Sequence, residues 1–308
     1  MQPRHFTGLI VALFLTSLDN ASGAPPPLPV TEVASGIFVR QGVQEDATPT
    51  NNDMIANIGF IVGADAVAVI DPGGSRIDGE RLRAAVLATT NRPIRYVIMS
   101  HAHPDHVFGA AAFAPDHPTY VGHARMPGAL ADRGEYDRRR LAEILGVKGT
   151  GDFVVPTLLV EKELKLDLGG RVLDLSAHAA AHTDSDLTIF DRSTGTLWAA
   201  DLLFVDRIPV IDGSLVGWLK VLQDLKSLPA AHAIPGHGPI FVPWPAAATD
   251  EERYFNVLLR ETRALLARGG NIETAIATVG QSERDKWLLF DEYNGRNVIA
   301  AFKELEWE

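Results

Sequence analysis

The stretch Ser100–Gly109, "SHAHPDHVFG", places four side chains that can bind a metal within six positions: His101, His103, Asp105 and His106. The whole chain of 308 residues contains only 10 histidines. The stretch follows an apolar, β-branched run, so it is predicted to lie at the end of a buried strand, where loops often carry chemistry. This crowding predicts a metal site rather than a histidine-rich surface loop.

The spacing of the four side chains favours two neighbouring metal ions. In extended backbone, residues two apart point to the same side, so we expect His101, His103 and Asp105 to converge and His106 to point elsewhere. In this interpretation the two nearby imidazoles bind one ion, and Asp105 and His106 bind its neighbour.

One segment cannot supply all the ligands, because a hydrolytic zinc takes about three protein ligands and keeps one position open. Three later residues are candidates: His182 in "AAAHTDSD", Asp201 in "LWAADLLF" and His237 in "PGHGP". We expect His182 in a turn between strands, and Asp201 and His237 at strand ends. The chain has no cysteine, which excludes thiolate ligands and cysteine nucleophiles. Any metal must therefore be bound through nitrogen and oxygen.

Supporting roles are predicted for residues near these ligands. Asp71, in the turn "VIDPGG", is expected to hydrogen-bond to a ligand histidine, because such histidines need an acceptor on their second nitrogen. His178 lies four residues before His182, and His123 follows the short run "TYV". Either histidine is a candidate to support the site or to donate to substrate. The alternatives are turn chemistry for Asp71 and capping or surface roles for the two histidines.

The N-terminus has the layout of a secretory signal peptide, with a basic start, the apolar run Phe6–Leu18 and small residues before Pro25. The apolar run is too short for a membrane-spanning helix, which needs about 20 residues. We therefore expect residues 1–24 to be removed and the protein to be periplasmic or secreted, without stable membrane insertion. The alternative is an uncleaved anchor. Residues 25–308 are predicted to form one domain with a helical C-terminal segment.

Apolar runs and turn residues predict strands followed by helices in each half of the chain. Thr31–Gly42 is predicted as a first strand, Asn57–Gly74 as a hairpin, and Ser75 as the cap of a helix. The net charge of −11 disfavours nucleic acid as a partner, because an acidic surface repels phosphates. A small-molecule substrate is expected instead.

The H-x-H-x-D-H pattern, followed by a spaced His, Asp and His, resembles the signature of the metallo-β-lactamase fold superfamily. "VIDPGG" also resembles that family's strand and turn before the first helix. The resemblance implies an α/β (α+β) fold, an αββα sandwich of two mixed sheets with helices on the outside. It also implies two metal sites, the first held by His101, His103 and His182, the second by Asp105, His106 and His237, with Asp201 bridging them.

Four segments show a narrower likeness: "NIGFIVG", "SHAHPDHVFG", "DLLFVDRIPVIDGSLVGWL" and "FDEYNGRNVIAAFKELEWE". They resemble the quinoprotein relay system zinc metallohydrolases, which are exported proteins associated with pyrroloquinoline-quinone-dependent alcohol oxidation. This resemblance implies a periplasmic location and a functional link to a quinoprotein dehydrogenase. It leaves the substrate undefined.

The leading hypothesis is a binuclear zinc metallohydrolase that attacks an ester, thioester, lactone or amide with a metal-bound hydroxide. Two Zn²⁺ about 3.5–4 Å apart can hold that hydroxide and clamp the substrate oxygen. Asp105 is predicted to be catalytic, because it would orient the attacking water while holding a metal.

Other functions on the same scaffold remain open. The lack of cysteine excludes a cysteine-dependent β-lactamase but leaves the all-histidine type open. Asp201, however, resembles the bridging aspartate of thioesterase and nuclease members. A glutathione thioesterase shares all the ligands, and a tRNA-processing nuclease is disfavoured by acidity and export. An iron-dependent persulfide dioxygenase would use iron, and manganese is a further candidate, but His103 favours zinc because flavodiiron relatives have Glu there. A non-catalytic metal- or quinone-binding accessory protein is the third class.

Overall fold

Residues 25–308 are described by a computed structural model of the chain, and the predicted signal peptide, residues 1–24, lies outside them. The strands are β1 (Thr31–Ala34), β2 (Ile37–Arg40), β3 (Ile58–Val62), β4 (Val67–Ile70), β5 (Ile94–Ile98), β6 (Thr119–His123), β7 (Leu158–Val160), β8 (Glu163–Asp167), β9 (Val172–Ala177), β10 (Leu187–Asp191), β11 (Thr196–Phe204), β12 (His232–His237) and β13 (Val242–Pro243). The helices are α1 (Arg76–Thr89), α2 (Pro104–Val107), α3 (Met126–Ala129), α4 (Glu135–Leu145), α5 (Val147–Thr150), α6 (Leu215–Lys226), α7 (Thr249–Leu266), α8 (Ile272–Thr278) and α9 (Phe290–Leu305).

The strands form two mixed sheets. One has seven strands in the order β1 to β7, antiparallel as far as β4 and parallel from β4 to β7. The other has six strands in the order β13-β12-β11-β10-β9-β8, in which β11 and β12 are the parallel pair. Parallel neighbours carry their C-terminal ends to the same edge, which is where the metal-ligand candidates of β5 and β12 follow.

Hydrophobic layers between and outside the sheets explain how they stack. Between the sheets, buried side chains of the first sheet pack against those of the second, among them Ile37, Ile61, Val121, Leu175, Ile189 and Trp198. Helix α1 covers the outer face of the first sheet through Leu82 and Val86. Helices α6, α7 and α9 cover the outer face of the second sheet, with Trp218 and Phe255 fully buried. The predicted αββα sandwich with two mixed sheets is confirmed.

Two local expectations near the N-terminus hold, and a third fails. The predicted hairpin forms as β3 and β4, and Ser75 caps α1 by accepting a hydrogen bond from Asp78 N at 3.3 Å. The prediction of one strand over Thr31–Gly42 is wrong, since β1 and β2 are two antiparallel strands. The chain reverses at Gly36, whose φ of +69° is a left-handed conformation that glycine adopts without strain.

His237 and Asp201 were both expected at strand ends, and only one of them lies there. His237 is the last residue of β12, as expected. Asp201 was expected at a strand end but lies inside β11, three residues before Phe204. The pairing of β11 with β12 shifts register around Ala200, which has a φ of +47°. This irregularity turns the strand locally at the position just before Asp201.

Within residues 25–308, no helix is both long enough and apolar enough to cross a membrane.

Candidate metal centre

Seven side chains from distant parts of the chain meet in two adjoining clusters, each compact enough to hold a metal ion. The first cluster consists of His101, His103, His182 and Asp201, and the second of Asp105, His106 and His237. All of these side chains are buried except that of His103, which is half-buried. The structure therefore brings together all seven residues that the sequence nominated as metal ligands.

The short helix α2 decides which cluster each ligand of the opening motif joins. His103 is extended, with ψ of 149°, and Pro104 then begins the helix. Asp105 therefore leaves the extended course, and its side chain joins that of His106 rather than that of His101. The expected convergence of His101, His103 and Asp105 on one side was wrong, because proline at the first helical position favours a helical turn there. Asp105 and His106 do lie in the same cluster.

In the first cluster, three imidazole nitrogens and one carboxylate oxygen face a common centre. His182 Nε2 lies 3.3 Å from His101 Nε2 and 2.9 Å from His103 Nδ1. Asp201 Oδ2 lies 3.7 Å from His101 Nε2 and 3.3 Å from His182 Nε2. Ligands at 2.0–2.1 Å from a tetrahedral ion lie about 3.3 Å apart, so these spacings match the edges of such a coordination shell.

The second cluster has the same spacing. His237 Nε2 lies 3.3 Å from Asp105 Oδ2, and His106 Nε2 lies 3.5 Å from the same oxygen. Asp201 reaches this cluster too, because its Oδ1 is 3.1 Å from His106 Nε2 and its Oδ2 is 3.4 Å from His237 Nε2. Asp201 is thus a carboxylate whose oxygens face histidine nitrogens of both clusters.

Hydrogen bonds on the outer nitrogens fix the tautomers of the ligand histidines. Nδ1 of His182 lies 2.7 Å from Val210 O, and Nδ1 of His237 lies 3.0 Å from Ile55 O. A carbonyl can only accept, so each Nδ1 carries the proton and each Nε2 presents a lone pair in the neutral ring. Lone pairs that face one another across about 3 Å repel, and a bound cation removes that repulsion.

Asp71 connects the two clusters through hydrogen bonds. Its Oδ2 accepts from His106 Nδ1 at 2.9 Å and from Ser100 Oγ at 2.9 Å, and its Oδ1 accepts from Ser100 N at 2.7 Å. Because Ser100 Oγ gives its proton to Asp71, it accepts from His101 Nδ1 at 3.0 Å. A single buried carboxylate therefore orients one histidine of each cluster, and the predicted contact of Asp71 with a ligand histidine is present.

Asp212 orients His103 and was not nominated from the sequence. Its Oδ2 accepts from His103 Nε2 at 2.9 Å, and Arg133 reaches the same oxygen at 3.3 Å. Burial acts to lower the pKa of His103, but the hydrogen bond and negative charge of Asp212 outweigh it and raise that pKa. Asp212 lies in the loop after β11, eleven residues beyond Asp201, and no spacing rule distinguishes it from the other loop acids.

Two further features test whether these residues suit a metal. His106 Nε2 and Asp201 Oδ1 are buried atoms that have no hydrogen-bond partner within residues 25–308. An unpaired buried polar atom is costly, and a shared metal ion would satisfy both atoms. Gly236 packs against Asp201 so closely that a Cβ at this position would overlap Asp201 Oδ1. The residues therefore fit a divalent metal ion at each cluster.

The protonation states also suit metal binding. Burial lowers the pKa of His182 to about 4 and holds that of His101 well below its ordinary value. Burial acts to raise the pKa of Asp201, but His106 and its neighbouring histidines outweigh it and hold that pKa well below its ordinary value. Neutral imidazoles and ionised carboxylates are the forms that bind metals.

The environment of His106 is strongly negative. Burial acts to lower the pKa of His106, yet the carboxylates of Asp201, Asp105 and Asp71 outweigh it and raise that pKa well above its ordinary value. Three buried carboxylates around one imidazole need positive charge nearby, and a divalent cation supplies it.

The two other nominated histidines lie apart from the clusters. His178 Nε2 hydrogen-bonds to Thr188 Oγ1 at 2.8 Å, and within residues 25–308 its side chain makes no hydrogen bond to any of the seven clustered residues. His123 is satisfied by backbone, because its Nε2 contacts His178 O at 3.2 Å and its Nδ1 accepts from Arg125 N at 2.9 Å. The suggested support of a ligand by His178 is therefore not seen.

Two cavities reach the clusters from the surface. One, of about 550 Å³, is lined by His103 and Asp212 at the first cluster. The other, of about 410 Å³, is lined by Asp105 at the second cluster. Asp137 of α4 lines both cavities. A substrate can therefore approach either cluster, with parts on both sides of Asp137.

Comparisons with known proteins agree with this geometry. The sequence model of the metallo-beta-lactamase superfamily matches residues 51–237, more than half of the chain, and the match contains all seven clustered residues. Ribonuclease Z of Limosilactobacillus fermentum (strain NBRC 3956 / LMG 18251) is 25% identical over 244 residues, which cover 72% of this chain and 70% of that protein.

Two solved structures illustrate the likeness in fold. The stereoselective inverting sec-alkylsulfatase Pisa1 from Pseudomonas sp. has a TM-score of 0.69 at 17% identity, and the alignment covers 90% of this chain and 50% of that one. A metallo-beta-lactamase from Pontibacter korlensis has a TM-score of 0.58 at 16% identity, covering 74% of this chain and 99% of that one. Identities this low show a shared fold and leave the reaction undetermined.

Proposed function

The chain belongs to the metallo-beta-lactamase superfamily, and from that membership and the paired clusters we propose that it is a binuclear zinc hydrolase. Its proposed substrates are small esters, thioesters, lactones or amides. The single observation that carries the proposal is the position of Asp201, whose Oδ1 lies 3.1 Å from His106 Nε2 and whose Oδ2 lies 3.3 Å from His182 Nε2. A carboxylate placed in this way can bridge two ions, one in each cluster.

Bound zinc would supply an activated water and a Lewis acid for the substrate oxygen. The protein side chains would do the rest. His101, His103 and His182 would hold the first ion, and Asp105, His106 and His237 the second. Asp105 also borders the cavity at the second cluster, so its free carboxylate oxygen can accept a hydrogen bond from the attacking water and orient it. Asp71 and Asp212 keep the histidine rings in place.

The choice of zinc rests on the ligand set. Imidazole nitrogens outnumber carboxylates in both clusters taken together, and no thiolate is available. Zinc accepts such a set in tetrahedral geometry, while iron and manganese accept it with more ligands. Metal analysis of protein purified without added metal tests this choice. Two equivalents of zinc are expected, and iron together with oxygen consumption would favour the dioxygenase alternative.

A substrate panel tests the reaction class. Zinc-loaded protein is expected to hydrolyse at least one of a simple ester, a thioester, a lactone and an amide, and to lose that activity after chelation. Nitrocefin turnover would make the protein a β-lactamase, and cleavage of bis(4-nitrophenyl) phosphate would indicate a phosphodiesterase instead. The double variant His103→Ala/Asp201→Ala should be inactive in every assay. If it keeps the cellular function of the protein, the function is binding and not catalysis.

We also propose that the protein is exported to the periplasm and acts on a small molecule linked to a quinoprotein dehydrogenase. The support for export is the signal-peptide pattern of residues 1–24, and the support for the link is the likeness of the four quoted segments. The net charge of −11 disfavours nucleic acid. Cell fractionation and N-terminal sequencing test export, with Pro25 expected as the first residue. Growth of a deletion strain on alcohols tests the link, and unaffected growth would speak against it.

A further inference from the structure

The cavity at the second cluster is lined by two arginines, Arg140 on α4 and Arg296 on α9. Both are exposed, and among residues 25–308 neither forms an ion pair. Their guanidiniums lie over aromatic rings, Arg140 at 5.9 Å from the ring centre of Tyr136 and Arg296 at 5.3 Å from that of Tyr293. On a chain with a net charge of −11, two guanidiniums without a carboxylate partner beside the proposed site need an explanation.

Among residues 25–308 no acid of the same cavity forms a direct ion pair with these arginines, although the charge of Arg140 acts on Asp137. Asp46 is 3.5 Å from Arg207 and accepts a hydrogen bond from Tyr293 Oη at 2.5 Å. Asp137 is 3.9 Å from Arg133. Asp53 is 3% exposed, and Arg207 is the arginine whose charge acts on its pKa.

The remaining lining is apolar and leads toward the second cluster. Leu141 and Ile144 of α4 line the cavity together with Pro104, and Asp105 of the second cluster also lines it. A ligand here would meet metal at one end, hydrocarbon along the wall and two cationic groups at the rim.

We propose that this cavity binds a carboxylate carried by the substrate, at the end of a short hydrocarbon segment, through Arg140 and Arg296. Planar guanidiniums recognise carboxylates with paired, charge-assisted hydrogen bonds. The acids of the lining repel a dianion more strongly than a monoanion, which favours a carboxylate over a phosphate. The proposal rests on the proposed hydrolase function, because the scissile bond must lie at the metal clusters.

The test uses zinc-loaded full-length mature protein and three esters. 4-Nitrophenyl butyrate is the neutral reference, 4-nitrophenyl hydrogen glutarate carries a carboxylate on the acyl side, and 4-carboxyphenyl butyrate carries it on the leaving-group side. The variants are R140Q, R296Q and the double variant. R139Q is the matched control, because Arg139 is an exposed arginine of the same helix that does not line the cavity.

For at least one carboxylated ester, kcat/KM relative to the neutral ester should fall about threefold to tenfold for each arginine removed. The fall should be larger in the double variant, and smaller in every case at about 0.5 M salt than at about 0.05 M. R139Q should match the parent protein with all three esters, and the neutral ester serves as the reference within each variant. The proposal is overturned if the double variant keeps both ratios within about twofold of those of R139Q.

Calorimetric titration with glutarate keeps this proposal separable from the proposed function. Glutarate should bind the zinc-loaded parent protein and R139Q. Its affinity for the double variant should be lower by the same factor as the fall in kcat/KM of the carboxylated ester relative to the neutral ester. If no ester is hydrolysed yet glutarate binding follows this pattern, the hydrolase proposal fails while the carboxylate site stands. Equal glutarate affinity in the double variant and in R139Q would refute the carboxylate site, whatever the activity.

Discussion

Replacing Asp71 by asparagine tests how one carboxylate holds both metal clusters. Asp71 is fully buried and accepts three hydrogen bonds, from Ser100 N, Ser100 Oγ and His106 Nδ1. Its φ of +54° lies in the left-handed region, which asparagine tolerates well, so D71N keeps the backbone and the volume. The substitution changes only the charge and half of the accepting capacity.

The asparagine amide cannot reproduce these bonds in either orientation. If its oxygen faces Ser100 N, its NH₂ group faces His106 Nδ1 and Ser100 Oγ, which both need an acceptor. His106 can then pair with the amide only by moving its proton to Nε2, the nitrogen that faces the second cluster. If the amide is turned round, its NH₂ group opposes Ser100 N instead. At least one charge-assisted hydrogen bond is lost in each case, and the loss of one costs about 2 kcal/mol.

That free energy corresponds to about 30-fold weaker metal binding, since 1.4 kcal/mol is a factor of about ten. We expect D71N to weaken the binding of both ions, because Asp71 reaches His106 directly and His101 through Ser100. S100A should weaken mainly the first ion, since His106 keeps its bond to Asp71. Competition with a chromophoric zinc chelator measures each affinity, and circular dichroism checks that the variants fold. D65N, in the exposed β3–β4 turn, is the control.

The result that would refute this reasoning is a folded D71N protein that binds two zinc ions with the affinities of D65N. Equal losses in S100A and D71N at both ions would contradict a narrower point, the separate routes from Asp71 to the two clusters.

Three more predictions concern stability. Gly236→Ala should displace Asp201, lower the zinc content below two equivalents and lower the melting temperature; normal zinc content would contradict the close packing. Arg40→Met removes the guanidinium that lies 2.6 Å from the buried carboxylate of Asp78. The free energy of unfolding, measured with urea, should fall by about 3 kcal/mol. The double variant Arg40→Met/Asp78→Asn should show a near-neutral change. Burial lowers the pKa of His178 to about 4, so above pH 6.5 this residue is neutral in both states. As pH falls from 6.5 to 4, His178 becomes protonated in the unfolded chain but stays neutral in the folded chain. The free energy of unfolding of the metal-free protein should therefore fall by up to about 3 kcal/mol, and the His178→Gln variant should not show this loss.

The arrangement of the site suggests a division of labour among its carboxylates. Asp105 and Asp201 face the histidines directly, with oxygens 3.1–3.7 Å from the ring nitrogens. Asp71 and Asp212 lie on the far side of the histidine rings, where each accepts a hydrogen bond from the outer nitrogen of a histidine. The outer acceptors commit the ring protons, and this leaves the inner nitrogens free to bind metal.

The sequence by itself indicated the seven clustered residues, and the fold class followed from the resemblance of their pattern to a known superfamily. Apolar runs indicated the buried strands β3 and β4, because strands covered on both faces need no polar side chains. Histidines and aspartates that follow such strands indicated the metal site, because buried polar groups are costly unless they bind a ligand or a metal ion. The absence of cysteine restricted the ligands to nitrogen and oxygen.

The tertiary structure decided which cluster each ligand joins and which distant residues line the site, because local spacing does not determine either. The helical turn that begins at Pro104 assigned Asp105 to the second cluster, and a register shift put Asp201 inside β11 rather than at its end. Asp212 and the pair Arg140 and Arg296 acquired their positions from contacts between elements far apart in the chain. Hydrogen-bond partners and cavities depend on how sheets and helices pack, and packing joins residues whose separation in sequence bears no relation to their distance in space.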